Sequence, residues 1–533
     1  MYTCYNLEPP TVPHYRPYAY NITVLHKLKE NQGLSPSAKC SAPKSLEGIS
    51  STINEYRLRV GEPSLFIEAQ GSHVLYVTQS STENSIGIYK FGLNRVRPTA
   101  PDNVEPHYLG LVPFEGTNRT QDKLYAFFKE KDTAGALESD VWLPFVAQVC
   151  MADTGGPKIK LQYQWTSQLK ARLFCGDKAS QQHFPELVGV AFYHQEDGDR
   201  VYGLFRNEWN MSAVCVFSID AIRKVFETSS FKGNKGKLPV PRPGSCTPFK
   251  GQQSELKRLS FVQSHPEMDD RVFPMSAPLL VSNHHYTHIR LHAVAIQWGR
   301  NHVVLYLSLE SGKIHKVLER KSGAFIIAEY SPFSDRTHVV DMMLQGDERK
   351  LYVSSSREVV QVEVQHCDRY GPHCEDCVLA SDPYCGWDQT HSACVPATKE
   401  TLQDVEGGDH SVCPSRAGKV PEEKHSVVKC RHFLHCPVTS RHAEYTWHGP
   451  GNVTMACKAP ENGCDLRIDS RGPENHGVYS CMAVELGYKR TVVERTVSPS
   501  AAGPGRHGGS GVDWVLAISL LQLAAILVLQ NTD

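Results

Sequence analysis

Six cysteines, Cys367, Cys374, Cys377, Cys385, Cys394 and Cys413, fall within 47 residues. Thiols at this density support two chemistries: oxidation to disulfides or coordination of zinc. Cys374 and Cys377 form a Cys-x-x-Cys pair, which keeps zinc open. No second such pair and no histidine pair follows at finger-like spacing, so disulfides are the expected chemistry. Too little chain lies between these cysteines for a hydrophobic core, and staples must supply what burial does not. Six cysteines allow fifteen pairings, and spacing alone selects none of them.

Other constellations carry less chemistry. His284, His288 and His292 recur every fourth residue, a metal-ligand spacing on a helix. Their segment alternates like a strand, however, with His288, Arg290 and His292 on one face and Thr287, Ile289 and Leu291 on the other. A solvated strand face is expected there, not a metal site. Gly503 to Gly508 fits G-x-G-x-x-G but lacks the preceding strand, and reads as a spacer. The chain holds no G-x-S-x-G, H-E-x-x-H or P-loop motif, so neither an enzyme, a metal nor a cofactor is expected. With 56 basic and 57 acidic residues the net charge is -1, which calls for no nucleic acid partner. Four sequons, at Asn21, Asn118, Asn210 and Asn452, together with 17 cysteines favour an oxidising, extracellular setting. No signal peptide is visible at the N-terminus, so the true start is expected to lie upstream, and Cys4 is left without an evident partner.

The elements that must hold these residues are strands. From Met1 to His366 short β-type runs alternate with turn signals. An apolar–tyrosine–apolar signature recurs at Tyr76, Tyr125, Tyr202, Tyr306 and Tyr352, with spacings of 49, 77, 104 and 46 residues. A unit of ~45–50 residues with insertions in the middle is the period of a β-propeller of four-stranded blades. A generic β-sandwich with chance Leu-Tyr pairs is the alternative.

The run Asp382-Pro383-Tyr384-Cys385-Gly386-Trp387-Asp388 resembles the core of a PSI module, the cysteine knot of plexins, semaphorins and integrins. The resemblance implies the pairs Cys367–Cys385, Cys374–Cys413 and Cys377–Cys394. Upstream, Trp209 to Cys215, Lys224-Val225-Phe226 and Pro241 to Cys246 are similar to the sema domain, a seven-bladed propeller. That likeness implies disulfides Cys150–Cys246 and Cys175–Cys215, with the first blade and part of the second absent. Cys40 has no counterpart there. In the GPI-anchored semaphorins an Arg-Gly-Asp loop follows the position of Cys150; here the residues are Met151-Ala152-Asp153. The carboxylate is kept and the guanidinium and glycine are not, which puts direct RGD-type integrin binding in doubt.

Cys436 and Cys481 flank Trp447, and Tyr479 stands two residues before the second cysteine. This is the pattern of an immunoglobulin-like β-sandwich. Cys457 and Cys464 are close enough for a local bridge, which leaves Cys430 over. Beyond it, small residues at Ser500-Ala501-Ala502, an 11-residue polar spacer and the apolar run Trp514–Leu529 fit a GPI signal with Ser500 as attachment site. The run of 16 residues is short for a spanning helix, though a tail anchor is the alternative.

The expected architecture is all-β: a sema-type propeller over 1–366, a PSI module over 367–415, an immunoglobulin-like domain over 416–499 and a GPI signal over 500–533. The resemblance implies a cell-surface semaphorin that binds a C-class plexin, with beta-1 integrins as a further receptor, and homodimerises through its sema domain. It also implies roles in axon guidance, cell migration and immunity. Two rivals are a plexin-type receptor fragment and a secreted β-propeller hydrolase. The latter would need convergent ionisable residues in a central pocket.

Overall fold

Alternation of apolar and polar residues over short runs builds antiparallel meanders, and a computed structural model gives their arrangement. It describes residues 61–414 and 432–497, apart from short stretches at 70–71, 81–85, 93, 99–104, 117, 132–140, 178, 195–197, 248–252, 296–300, 458–462 and 469–474. The chain divides into two compact units, the first ending at Cys413 and the second beginning at Pro414.

The first unit holds five blade-like sheets among the described residues. The first sheet is β1 (Ser64–Ala69), β2 (Ser72–Gln79) and β3 (Gly87–Phe91). The second is β4 (His107–Phe114), β5 (Lys123–Lys131), β6 (Trp142–Cys150) and β7 (Leu169–Arg172). A two-residue hairpin, β8 (Gly176–Asp177) with β9 (Gln182–His183), precedes the third sheet. That sheet is β10 (Glu186–Tyr193), β11 (Arg200–Arg206), β12 (Ser212–Ser218) and β13 (Leu280–Ser282). The fourth is β14 (Tyr286–Ala295), β15 (Asn301–Leu309), β16 (Ile314–Arg320) and β17 (Gly323–Tyr330). The fifth is β18 (Asp341–Gln345), β19 (Lys350–Ser354) and β20 (Val359–Glu363).

The five signature tyrosines all lie on the second strand of their sheet, and all are buried. The longest spacing, 104 residues from Tyr202 to Tyr306, has a local cause. Between β12 and β13 the chain leaves the sheet for two helices, α1 (Ile219–Thr228) and α2 (Gln253–Ser264), which lengthens the third repeat. Helix α1 buries Ile219, Ile222 and Phe226 on one face, the 3.6-residue period of an amphipathic helix. The β15–β16 turn needs glycine at Gly312, where φ is +86° and a Cβ would lie 2.2 Å from Thr337 O.

The PSI segment follows β20 without a separate core. It comprises α3 (Cys374–Leu379) and the hairpin β21 (Cys385–Asp388) with β22 (Ala393–Pro396). Tyr384, Trp387, Val378 and Cys377 pack in one apolar cluster with Val304, Tyr306 and Leu351 of the fourth and fifth sheets. The module therefore draws on its neighbour's core as well as on its own staples, which corrects the expectation that covalent bonds alone hold it.

At the centre of that shared cluster lies a charge pair. Lys316 on β16 is 0% exposed and Asp382 is 1% exposed. Lys316 Nζ donates to Asp382 Oδ2 at 2.6 Å and to Val364 O at 2.9 Å, and stands 4.2 Å from the centre of the Tyr384 ring. Tyr370 Oη donates to the same carboxylate oxygen at 2.6 Å, and Tyr384 N to the other at 3.1 Å. Burial pushes the Lys316 pKa down, with Asp382 pulling the other way.

The second unit stacks two sheets. One pairs β23 (His432–Cys436) with β26 (Cys464–Ile468). The other runs β25 (Val453–Ala456), β24 (Glu444–Gly449), β27 (Gly477–Glu485), β28 (Tyr488–Val497). Cys436 and Cys481 bridge the two sheets beside buried Trp447, whose Nε1 donates to Cys464 O at 3.1 Å. Tyr479 Oη donates back to Asn475 O at 3.0 Å, the bond a tyrosine corner requires.

Replacing Lys316 with Met strands the Asp382 carboxylate in the interior. The variant should lose about 3–5 kcal/mol of stability in chemical unfolding of the secreted protein. The pair replacement Lys316→Met with Asp382→Leu should recover most of that loss. Equal stability of the single variant and the parent would show that the pair is not what holds the module.

Candidate functional site

Every expected disulfide that falls on described residues is a pair of bonded sulfurs. Cys150–Cys246, Cys175–Cys215 and Cys436–Cys481 have S–S separations of 2.04, 2.08 and 2.04 Å. The PSI cysteines join as Cys367–Cys385, Cys374–Cys413 and Cys377–Cys394, and Cys457 joins Cys464. Cys436, Cys464 and Cys481 lie close enough together to share a metal ion, but all three sulfurs are spent in disulfides. Cys4, Cys40, Cys430, Asn21, Ser500 and the apolar run at 514–529 lie outside the described residues.

The loop after Cys150 was the expected remnant of an integrin motif, and its carboxylate has other work. Asp153 Oδ2 accepts from Thr166 N (2.9 Å), Thr166 Oγ1 (3.0 Å), Ser167 N (3.0 Å) and Ser167 Oγ (2.7 Å). Asp153 Oδ1 accepts from Gly155 N at 2.9 Å. Buried Lys90 donates from Nζ to Met151 O at 2.7 Å and Asp153 O at 2.9 Å, while Ala152 is exposed. Burial lowers the Lys90 pKa, with the Asp153 charge opposing. Trp165, further along the same loop, is fully buried and donates from Nε1 to Ile88 O at 2.7 Å. Asp153 is thus the knot of a rigid loop rather than a carboxylate offered to solvent.

The histidine segment is a strand, as its alternation implies, with a bulge between Tyr286 and His288. The solvated face expected for it is corrected: it is half-buried against the PSI module and the fifth sheet. His292 Nδ1 lies 2.5 Å from Tyr384 Oη, and Tyr306 Oη donates to the same phenol oxygen at 3.0 Å. Arg290 donates to Met342 O at 2.6 Å and to Asp341 Oδ1 at 2.7 Å. His288 Nδ1 lies 3.0 Å from Ser308 Oγ. Burial is the first cause that lowers the pKa of both His288 and His292, which keeps the imidazoles neutral.

Three sequons fall at turns. Asn118 is exposed before a short 3-10 turn, its Oδ1 accepting from Thr120 N at 3.1 Å. Asn210 is exposed at φ +59° in the β11–β12 turn, beside Trp209, which is 78% exposed. Asn452 lies in the turn before β25. A cavity of about 210 Å³ opens near Tyr108, Phe128, Trp165 and Leu169. Its ionisable residues, Glu130 and Lys170, are paired with each other at 2.6 Å. Burial raises the Glu130 pKa against the pull of Lys170. Among the described residues no helix is long and apolar enough to cross a membrane.

Sequence reasoning missed Lys316, Lys90, and the hydrogen-bonding role of Asp153. The only signal for the first was a lysine between the apolar residues Ile314 and Val317-Leu318 of β16, in a strand that also carries His315.

Residues 188–346 match the Sema domain family and residues 366–414 the Plexin repeat. Semaphorin-7A of Homo sapiens is 38% identical over 402 residues, covering 72% of this chain and 60% of the relative. Semaphorin-7A of Mus musculus is 37% identical over the same length with the same coverage, and Semaphorin-4A of Mus musculus 33% identical over 404 residues, covering 69% and 52%. The chain spans less than two thirds of the length of these relatives. Drosophila Semaphorin 2a superposes with a TM-score of 0.62 at 21% identity, covering 83% of this chain and 77% of that one. A chain from the structure of Drosophila Plexin A in complex with Semaphorin 1b superposes with a TM-score of 0.55 at 23% identity, covering 67% and 76%.

Two outcomes follow from this geometry. Asp153→Ala removes the acceptor of five donors and should cost roughly 3 kcal/mol, read as a lower unfolding midpoint and lower secretion. Unchanged stability would mean the loop does not depend on that knot. The buried histidines set a pH dependence. Their folded pKa values lie below the ~6.5 of the unfolded chain, so the unfolded state takes up more protons in acid. The stability present above pH ~6.5 is lost as pH falls toward the folded values. The parent should therefore lose more stability between about pH 7 and 5 than His292→Gln does. Parallel pH profiles for the two proteins would contradict this.

Proposed function

The chain belongs to the semaphorin family, and from that premise we propose that it is a cell-surface ligand whose blade sheets dock on a plexin of the C class. The observation that carries this reading is the shared core of Sema sheets and plexin repeat, which makes one rigid body of the two family segments. The likeness to semaphorin-7A and the existence of a Plexin A complex with Semaphorin 1b support the same partner class. Signalling through such a receptor is how the protein would steer axons, migrating cells and immune cells. It acts as a binding protein, the role its family likeness supports. A homodimer through the Sema sheets is part of the proposal.

An integrin partner, if one is engaged, uses a surface other than Met151-Ala152-Asp153, because the aspartate is held by its own loop. Attachment to the outer face of the plasma membrane is through a GPI anchor at Ser500, which accounts for the polar spacer and the short apolar run together. N-glycans on Asn118 and Asn210 suit their exposed turns.

The receptor proposal is tested by titrating the full chain, made through the secretory pathway, over immobilised plexin ectodomains of each class. Saturable binding to the C class is expected, and absence of binding to any plexin would overturn the reading. On cells, phosphatidylinositol-specific phospholipase should release the protein with a mature C-terminus within two residues of Ser500. Retention after the lipase, with peptides from 514–529 present, would replace the GPI anchor with a tail anchor.

A further inference from the structure

We infer that the loop between α1 and Cys246 is a docking surface for a sulfated glycosaminoglycan. Residues 223–242 carry six basic side chains in a chain of net charge -1. Arg223 is paired with Asp220 and Glu227, Lys232 with Glu267, and Arg242 with two backbone carbonyls, which leaves Lys224, Lys235 and Lys237 to carry the local excess. The excess is local, and its tip is Lys235-Gly236-Lys237. Both lysines are exposed, and among the described residues neither has an ion-pair partner. Glycine between them leaves no side chain to screen one ammonium from the ligand that meets the other.

The loop is held in shape at both ends. Arg242 Nε donates to Phe226 O at 3.0 Å and its Nη2 donates to Ser229 O, so the returning segment caps the helix it left. The same guanidinium lies 4.8 Å from the centre of the Phe231 ring. Lys232 is tied to Glu267 at 2.8 Å. Within the tip, Asn234 Nδ2 donates to Gly236 O at 3.0 Å, and Gly236 N donates back to Asn234 Oδ1 at 3.1 Å. Gly244 holds φ +78° where a Cβ would strike Leu169, and Cys246 is bonded to Cys150. A shaped loop loses little further freedom when a ligand binds, so its charges count toward affinity.

The ligand chemistry follows from the pattern of charge. Lysines bind anions as point charges, without the planar fork that arginine offers to one phosphate or carboxylate. A pair of them separated by one glycine suits anions that repeat along a chain. A second pair, Lys158 and Lys160, stands on the loop that leaves the other end of the same disulfide. That loop is also rigid, with Gly156 N donating to Leu161 O at 2.9 Å and Asp153 knotting its base. The two tips lie on loops that lead from the two halves of one disulfide, and lysine pairs of this kind match anions repeated along a chain better than one small anion. An anionic bilayer is the weaker fit. The apolar face of α1 is buried in the core, and the large exposed apolar residues on the two loops are Val240 (84%) on one and Ile159 (82%) and Tyr163 (57%) on the other. Nothing there forms the broad apolar face of an interfacial helix.

The test is retention of the full chain, produced through the secretory pathway, on immobilised heparin at about 0.15 M salt. Retention is expected, and loss of retention on desulfated heparin with it. Lys235→Glu with Lys237→Glu should weaken binding at least about tenfold and flatten its dependence on salt, since fewer counterions are released. Lys158→Glu with Lys160→Glu should cause a smaller loss. Unchanged unfolding midpoints and unchanged plexin binding certify the variants as folded, and Lys235→Gln with Lys237→Gln serves if charge reversal disturbs the fold. The proposal is overturned if the parent washes through heparin, if the Lys235/Lys237 variants bind it as the parent does, or if the protein binds phosphatidylserine vesicles but not heparin.

Discussion

A lysine and an aspartate stripped of water at the centre of an apolar cluster are stable only in one arrangement. Each must face the other, and every remaining hydrogen-bonding position must be filled. Lys316 and Asp382 meet that demand: the ammonium also reaches Val364 O, and the carboxylate also takes Tyr370 Oη and Tyr384 N. Hydrophobic contacts alone would tolerate sliding of the PSI module over the fourth and fifth sheets. A buried charge pair does not, because any displacement leaves an ion unpaired in a medium that solvates it poorly. The orientation of His292, Tyr306 and Gln365 toward Tyr384 follows from where that pair fixes the neighbouring ring.

Much of this was open to reading from the residues. The tyrosine signature pointed to repeated blades, and the structure places each of these tyrosines on the second strand of its sheet, where one buried aromatic at a fixed position leaves a periodic trace. The spacing near Tyr202 and Tyr306 was irregular for a reason visible only in three dimensions: β13 joins its sheet after an excursion through two helices. Cysteine positions are local facts, and their partners came from family likeness, since fifteen arrangements satisfy the same spacing. What stayed hidden were contacts between residues distant in sequence. Lys316 and Asp382 are 66 residues apart, and Lys90 lies 61 residues from the carbonyl of Met151. A lysine on a strand that turns out to be buried needs a partner, and the sequence does not say where that partner is.

Asp153 shows the same limit from the other side. Its position after Cys150 matches a family motif, and motif matching preserves residue type while saying nothing of what the side chain touches. Here the carboxylate gathers four donors from Thr166 and Ser167 and a fifth from Gly155. Ser167 Oγ is also the acceptor for Cys150 N at 3.0 Å, so disulfide and aspartate belong to one network.

The shared core between the sheets and the PSI module also imposes an order on biosynthesis. The ribosome delivers Lys316 well before Asp382. At ~5–20 residues per second the interval is about 3–13 s. Through that interval the lysine has no Asp382 to be buried with, and the face of the fourth and fifth sheets that will receive Tyr384 and Trp387 stays open to solvent. Completion of the blades therefore waits on the segment that follows them, and a nascent chain halted between the two would display an apolar face of the kind that chaperones hold.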